Sequence, residues 1–458
     1  MIEVVQAFDR APIAQLDSDD AAALERKIAA ATRVFADRSG WLKPHQKVDI
    51  LHKLAGLMVG KREHLGRQIA REGGKPLTDA LIEVDRAIDG VECGIDELRT
   101  RSGREIPMGL TSAADNRRAF TILEPIGVVA AISAFNHPLN LIVHQVVPAV
   151  AVGCPVIIKP APTTPLSCLE LVGLLHEAGL PEPWCQSFLP QTNQLAEALV
   201  TDPRIAFLSF IGSAKVGWLL RSKLPPGTRC ALEHGGAAPV IIDRSADLGR
   251  LIEPLVKGGY YHAGQVCVSV QRIFVHADLQ QALLDGFAAR VAALKVGDPV
   301  LAETEVGPLI TPHEADRVSS WIDEAVAGGT RLIGGGRLSN TTLRPGILVN
   351  PARDAKVSTL EVFGPVTCVY PYTRLEDAIS VANALPWSFQ ASIFTENLRT
   401  AFAAAEHLAA SAVMVNDHTA FRTDWMPFAG RRQSGYGVGG IPDTMREMTE
   451  EKMIVFRM

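Results

Sequence analysis

Residues 127–159 read GVVAAISAFNHPLNLIVHQVVPAVAVGCPVIIK. Two short apolar runs, Gly127–Ser133 and Pro155–Lys159, bracket a longer apolar stretch. Short continuous apolar runs bounded by Gly or Pro fit strands buried on both faces. Between them, Asn136-His137-Pro138 is read as the start of a helix, with proline near its first turn. Strand, helix and strand in this order make a parallel pair with a helical crossover.

The alternation spreads from there. Downstream, Pro165–Ala178 is predicted as a helix, Ile205–Phe210 as a strand and Ala214–Lys223 as a helix, and Arg229–Glu233 and Pro239–Ile242 as strands. This is α/β patterning, a parallel sheet with helices on both faces. Such sheets bind ligands outside the carboxyl ends of their strands. From about residue 250 the pattern repeats with longer units, with helices at 277–294 and 311–328 and strands at 345–349, 366–370, 390–394 and 411–415. That is a second α/β domain. Upstream, residues 19–37 read as a helix with Asp19 and Asp20 at its positive end. Residues 44–100 continue as amphipathic helices, with Ile50, Leu51, Leu54, Leu57 and Met58 on one face. Residues 117–124, RRAFTILE, are a strand outside the main alternation, and the tail ending in MIVFRM is expected to be an edge strand that pairs elsewhere.

The totals bound the function. A chain of 458 residues exceeds one hydrophobic core and implies two to four units at roughly 100–200 residues each. With 47% apolar and 21% charged residues it has the composition of a globular protein. A net charge of -5 gives no electrostatic case for nucleic acid. No apolar run approaches the ~18 residues of a membrane span, so no membrane partner is expected. The start, MIEVVQAFDRAPIAQLD, is acidic and lacks a basic-then-apolar leader. Seven cysteines without a CxxC pair argue against zinc and disulfides, and for a reducing cytoplasmic setting. There is no internal repeat.

Four features carry possible chemistry. The sequence has no GxGxxG, but Gly212-Ser213-Ala214-Lys215-Val216-Gly217 follows a strand and opens a helix. Free N–H groups there suit a pyrophosphate, although a plain strand-to-helix turn would look the same. Lys159 and Glu233 each end a strand. Glu233, ahead of Gly235 and Gly236, is a general base in a cleft or a paired structural acid. Cys267, in GQVCVS, is a nucleophile or a small buried residue.

The combination decides among these. EPIGVV at 124–129, FNHPL at 135–139, IIKP at 157–160, FIGS at 210–213 and LEHGG at 232–236 are followed by GQVC at 264–267, VGDP at 296–299, GPLI at 307–310, EVFGPV at 361–366 and PFAGRRQSG at 427–435. In this order, with Glu233 and Cys267 34 residues apart, the chain resembles the aldehyde dehydrogenase superfamily from roughly residue 20 to its end. It is most similar in character to the non-acylating branch acting on semialdehydes, phosphonoacetaldehyde and lactaldehyde. The resemblance implies a Rossmann-like cofactor domain (1–104 and 127–236), a second α/β catalytic domain (237–437) and a small β oligomerisation arm (105–126 and 438–458). It also implies NAD or NADP as cofactor, no catalytic metal, and a homodimer or homotetramer.

The roles the resemblance implies are as follows. Cys267, as a thiolate made available by a lowered pKa, attacks the aldehyde to give a thiohemiacetal. The Asn136 amide and the Cys267 backbone N–H donate to its oxygen, each such donor being worth roughly 3–4 kcal/mol. Hydride leaves to the nicotinamide, and Glu233 activates water to hydrolyse the thioester. Lys159 meets the adenosine ribose, Gly212 and Ser213 the pyrophosphate, and Glu361 the nicotinamide ribose, while Phe363 packs beside the nicotinamide. Phe135 belongs to the same cofactor pocket, and Phe428 lines the substrate side.

Departures from the family pattern bear on specificity. Pro162 stands where many NAD-preferring members have a glutamate, which removes one barrier to a 2′-phosphate. LEHGG, Ala237 and PFAG replace commoner residues and are expected to be tolerated. Arg422, in the 416–426 loop, and His137 are polar groups near the expected aldehyde tail. An arginine fork suits a carboxylate or phosphonate. Val266, however, precedes the cysteine where some anion-selective members carry arginine, and Arg422 could instead pair with Asp424 or Asp417. Arg117 and Arg118 are further candidates, expected to be solvated. The function read from the sequence is NAD(P)+-dependent oxidation of a small, polar or anionic-tailed aldehyde to its acid. The alternatives are a CoA-acylating semialdehyde dehydrogenase, whose relatives tend to lack the glutamate, and a cysteine thioesterase or esterase with no redox step. A non-catalytic scaffold would not need Asn136, Glu233 and Cys267 together.

Overall fold

The computed structural model describes residues 1–458. The two apolar runs of the 127–159 stretch are adjacent parallel strands, Val128–Ile132 and Val156–Lys159. They lie inside a six-stranded sheet ordered Gly435–Tyr436, Arg229–Glu233, Ile205–Ile211, Val128–Ile132, Val156–Lys159, Cys185–Ser187. Every pair is parallel except the Gly435–Tyr436 edge. Alternate residues enter different cores, as a strand's period of two requires. Val129, Ala131, Val156 and Ile158 pack with the Asn140–Val152 and Leu166–Glu177 helices. Val128, Ala130, Ile132 and Ile157 face the Ala21–Ala36 helix on the other side.

The second α/β unit has a seven-stranded sheet ordered Arg331–Gly334, Gly346–Val349, Val366–Tyr372, Val270–His276, Ala238–Ile242, Gln390–Phe394, Ala412–Val415. Only the first pair is antiparallel. The tail strand Thr449–Arg457 pairs antiparallel with Arg117–Pro125 along its whole length, and Glu105–Ile106 lies on the other side. Phe120 stacks on Phe456 at 6.1 Å between ring centroids, and Phe120, Met453 and Phe456 remain exposed.

Several expectations are corrected. The helix expected from Asn136 begins at Asn140. A carboxylate from a distant helix, Glu83 of Leu77–Thr100, accepts from the backbone N–H groups of Leu139 and Asn140 at 3.0 and 3.1 Å. That bond serves as the cap, and it leaves Asn136, His137 and Pro138 in the preceding loop. Asp20 caps the first helix through Ala23 N, whereas Asp19 turns away to accept from Leu189 N. The 277–294 helix starts as a 3₁₀ turn, Ala277–Leu279, and continues as Gln280–Ala292. Several elements were not foreseen, among them the Ile2–Val5/Pro12–Leu16 hairpin, the central Val270–His276 strand and the Asn193–Val200, Leu248–Tyr260, Leu375–Asn383, Leu398–His407 and Ile441–Glu447 helices. Ile441 and Met445 are buried in the core of the first unit, so of residues 438–458 only the final strand joins the arm.

Candidate active site

The carboxyl ends of the first sheet and the loop holding Cys267 converge. Tyr261–Gly264 is a tight turn with three successive left-handed residues, His262, Ala263 and Gly264, at φ of 49, 55 and 72°. Glycine is required at 264 for more than its φ, because an added Cβ would stand 2.2 Å from the Gly364 carbonyl oxygen. Gln265 anchors the turn. Its amide donates to the Pro308 and His262 carbonyls, and its oxygen accepts from Ile310 N. Cys267 follows on a half-buried stretch between buried Val266 and Val268.

Glu233 ends its strand with Gly435 hydrogen-bonded beside it. Burial pushes its carboxyl up to about 7, and Arg422 opposes that shift. Glu361 is likewise raised to about 7 by burial, against the pull of Gly236 N and Arg317. The glycines of LEHGG explain how Glu361 fits. Gly236 N donates to it at 3.1 Å, and a Cβ on Gly235 would fall 1.6 Å from its oxygen. Burial, with Glu233 and Glu361 nearby, pushes the Cys267 thiol well above its ordinary value, and Arg422 pulls the other way. The lowered thiol pKa expected from sequence is therefore not what this arrangement gives.

Asn136 is buried in the loop ahead of its helix. Its neighbour Phe135 meets Phe363 edge-to-face at 5.8 Å, which ties this loop to the Glu361–Gly364 loop. Phe363 itself has a left-handed backbone, φ 50°. His137 is also buried, with Nε2 3.0 Å from the Tyr261 hydroxyl. Burial and the nearby cations Lys75 and Arg86 hold it neutral. Lys75 and Lys257 lie over the Tyr261 ring, at 5.6 and 4.8 Å from its centroid.

On the far side of the sheet's carboxyl edge, Lys159 ends its strand and donates only to the Pro160 carbonyl, at 3.1 Å. Burial lowers its pKa, and no carboxylate is among the groups acting on it. Pro162 is exposed nearby. Ser213 is the N-cap of Ala214–Arg221, yet its hydroxyl makes no capping bond and it is exposed. Gly212 bonds back to strand Arg229–Glu233, its N–H donating to the Glu233 carbonyl and its own carbonyl accepting from His234 Nδ1. His234 fills the space over Gly217, where a Cβ would meet the ring at 2.0 Å, so the LEHGG histidine is paired with a glycine in the next helix.

Arg422 is not paired as one alternative held. Asp424 is occupied by Arg86, His144 and Asn140, and Asp417 accepts from His418 N. The Arg422 guanidinium instead lies 3.6 Å over the Phe428 ring. Phe428 in turn contacts Phe389, 4.5 Å between centroids, in an apolar cluster with Val266 and Val268 against which Cys267 packs. Arg422 Nε is buried without a partner. Arg117 and Arg118 lie on the arm strand, away from this pocket.

Sequence reasoning missed the polar layer behind the site, made of Lys75, Glu83, Arg86, Asn140, His144 and Asp424. One signal was available. Asn140 and His144 lie one turn apart on a helix whose other residues are almost all apolar.

The family model described as "Aldehyde dehydrogenase family" matches residues 1–454. The 3-sulfolactaldehyde dehydrogenase of Priestia megaterium is 34% identical over 458 residues, 100% of this chain and 95% of the relative. Aldehyde dehydrogenase 21 from Physcomitrella patens, solved in complex with the reaction product succinate, superposes with a TM-score of 0.96 at 32% identity, covering 100% of this chain and 95% of that one. Glyceraldehyde-3-phosphate dehydrogenase from Methanocaldococcus jannaschii, complexed with NADP, gives 0.95 at 30% identity, covering 100% and 99%.

Proposed function

The chain belongs to the aldehyde dehydrogenase family, and from that premise we propose that its substrate is a small aldehyde with an anionic tail, attacked by Cys267 and released as the acid with the help of Glu233. It is an NAD(P)-dependent aldehyde dehydrogenase.

The residues present fit a dinucleotide. The Ser213 hydroxyl is unspent at a helix N-terminus, where N–H groups favour phosphate oxygens. Lys159 has no competing carboxylate, and exposed Pro162 puts no negative charge beside it. Gly212 and Ser213 would hold the pyrophosphate, Lys159 the adenosine ribose and Glu361 the nicotinamide ribose, with Phe363 and Phe135 forming the wall beside the nicotinamide. The chemistry that bound NAD or NADP supplies there is hydride acceptance, which leaves Cys267 carrying a thioester.

The rest is done by the chain's own groups. Cys267 loses its thiol proton to solvent as Sγ forms a bond to the aldehyde carbon, and the Asn136 amide and Cys267 N–H donate to the oxygen that gains charge. Glu233, with a pKa of about 7, is poised near neutral pH to take a proton from water as that water adds to the thioester carbon. The C–S bond then breaks, the acid leaves and the thiol is restored.

The anionic tail rests on one observation: the guanidinium of half-buried Arg422, its Nε buried without a partner, lies over Phe428 beside the nucleophile with no carboxylate in ion-pair contact. A desolvated guanidinium without a counter-ion favours a ligand that supplies one. The relatives fit this chemistry, since their names and ligands include a sulfonated aldehyde, succinate and a phosphorylated aldehyde. His137, held neutral by its burial and the cations Lys75 and Arg86 and in contact with the Tyr261 hydroxyl, would be a second polar group toward the tail. Exposed Phe120, Met453 and Phe456 support self-association through the arm as a homodimer or homotetramer. No helix is long and apolar enough to cross a membrane, and seven unpaired cysteines favour a reducing cytoplasmic setting.

The test pairs isosteric aldehydes, sulfoacetaldehyde against 3,3-dimethylbutanal and succinic semialdehyde against 4-methylpentanal, followed by reduced nicotinamide. A higher kcat/KM for the charged member of at least one pair, lost in Arg422→Met, supports the proposal. Preference for the neutral member in both pairs overturns it.

A further inference from the structure

Arg422 is held by a contact that runs back into the first domain. Its Nη2 stands 3.3 Å from Nδ1 of His144, and His144 Nε2 stands 2.7 Å from Oδ1 of Asp424. His144 and Asp424 side chains are only 5% and 1% exposed. We propose that Asp424 and His144 are positioning residues: Asp424 fixes the proton of His144 on Nε2, so that the Nδ1 lone pair receives an N–H of Arg422 and aims the guanidinium at the substrate's anionic tail. This rests on the proposal that Arg422 binds that tail.

The hydrogen-bond inventory leaves one arrangement. The Asp424 carboxylate can only accept. Arg86 reaches it through Nε and Nη2, at 3.1 and 2.8 Å, and Asn140 Nδ2 at 3.0 Å. Nε2 of His144 must therefore carry its proton to make the 2.7 Å contact. A second proton on Nδ1 would point at the Arg422 cation, and burial with that cation pushes His144 down to about 4. At neutral pH the ring is uncharged and Nδ1 is an acceptor. Arg422 spends one donor there and stacks on Phe428, which fixes its plane, while its other donors have no carboxylate partner. Packing alone does not require a polar ring here, because Leu141, Ile142, Val143, Val146 and Val147 of the same helix are apolar and buried. The logic is that of a carboxylate orienting a histidine for a third group, here a cation in place of a metal.

The experiment measures kcat/KM for sulfoacetaldehyde and for 3,3-dimethylbutanal, and reads their ratio. The neutral aldehyde serves as internal reference, so changes in thiol reactivity or enzyme concentration cancel. Five variants are compared with the parent: Arg422→Met, His144→Leu, the two together, and His144→Asn and His144→Gln taken side by side. Asn places an acceptor near the old Nδ1 position, whereas Gln reaches toward Asp424 as Nε2 did. We expect His144→Leu to lower the ratio about tenfold, mostly through KM of the charged substrate. We expect the double variant to match Arg422→Met, and Asn to keep more of the ratio than Gln. If Arg422→Met leaves the ratio intact, the tail-binding proposal fails and this one with it. If Arg422→Met collapses the ratio but His144→Leu does not, only the positioning role is overturned. Additive losses in the double variant, or better rescue by Gln, also overturn it, because His144 would then act independently of Arg422. Should His144→Leu fail to fold, the Asn and Gln comparison decides.

Discussion

Glu233→Gln is the perturbation that bears most directly on how the acid is released. The substitution keeps the shape of the side chain at the end of its strand and removes the base. Positioned general bases contribute about 10²–10⁴-fold, so turnover should fall by that factor, equivalent to about 3–5 kcal/mol in the barrier. Hydride transfer precedes the step in which Glu233 acts, so the loss should fall on deacylation. Rapid mixing with excess aldehyde and cofactor should give a burst of reduced nicotinamide close to one per Cys267, followed by a slow steady rate. Acyl-enzyme should be visible by mass as an adduct on the chain. The parent enzyme supplies a second readout. Burial sets the Glu233 carboxyl at about 7, so about two pH units below that value only roughly 1% is ionised. Where deacylation limits the rate, kcat should fall about tenfold per pH unit on the acid side of that value and level off above it, and in Glu233→Gln this limb should vanish. A variant with normal turnover and no burst, or one that keeps the acid limb, would refute the role.

Three other outcomes are expected. Cys267→Ser should abolish aldehyde oxidation while NAD(P) binding, followed by cofactor fluorescence, persists, since Cys267 is the proposed nucleophile and serine keeps its shape. Pro162→Glu should lower kcat/KM for NADP about tenfold relative to NAD, through repulsion of the 2′-phosphate beside Lys159, and an unchanged ratio would place the adenosine ribose elsewhere. Glu83→Gln should cost about 3–5 kcal/mol in denaturant unfolding, because it strips Lys75 of its only ion-pair partner while both side chains are fully buried.

The parts of the site that sit at strand ends were legible because topology fixes where they go. Lys159 and Glu233 close parallel strands, and the carboxyl edge of such a sheet is where ligands bind. The parts that escaped depend on partners far away in the chain. Asn136 was read as opening a helix because Pro138 suits a first turn, but the N–H groups of Leu139 and Asn140 are taken by Glu83, 56 and 57 residues earlier. Arg422 looked ready to pair with Asp424 two residues on, yet Asp424 turns to Arg86, Asn140 and His144, which lie 338, 284 and 280 residues away. Local sequence cannot register such competition. The N-terminal hairpin escaped for a different reason, since its strands of four and five residues are mostly half-exposed and carry little apolar signal.

The charge balance of the pocket bears on how one arginine would set the proposed specificity without a second beside the cysteine. Burial raises Glu233 and Glu361 to about 7, so that about half of each is uncharged at neutral pH, and keeps the Cys267 thiol protonated at rest. His137 and His144 are held uncharged by the same burial and by the cations around them. Asp424 stays ionised, drawn far below the carboxylate range by His144 and Arg86, but its charge is spent on Arg86. The one permanent charge left facing the nucleophile is Arg422, in a low-dielectric cleft where its reach is longer than in water. Val266, the residue before the cysteine, is buried in the apolar cluster with Phe389 and Phe428. An arginine there would have to displace the aromatic platform on which Arg422 lies. In this chain the charge proposed to recognise the anion lies on Phe428, and the apolar wall at Val266 packs in the same cluster as that ring.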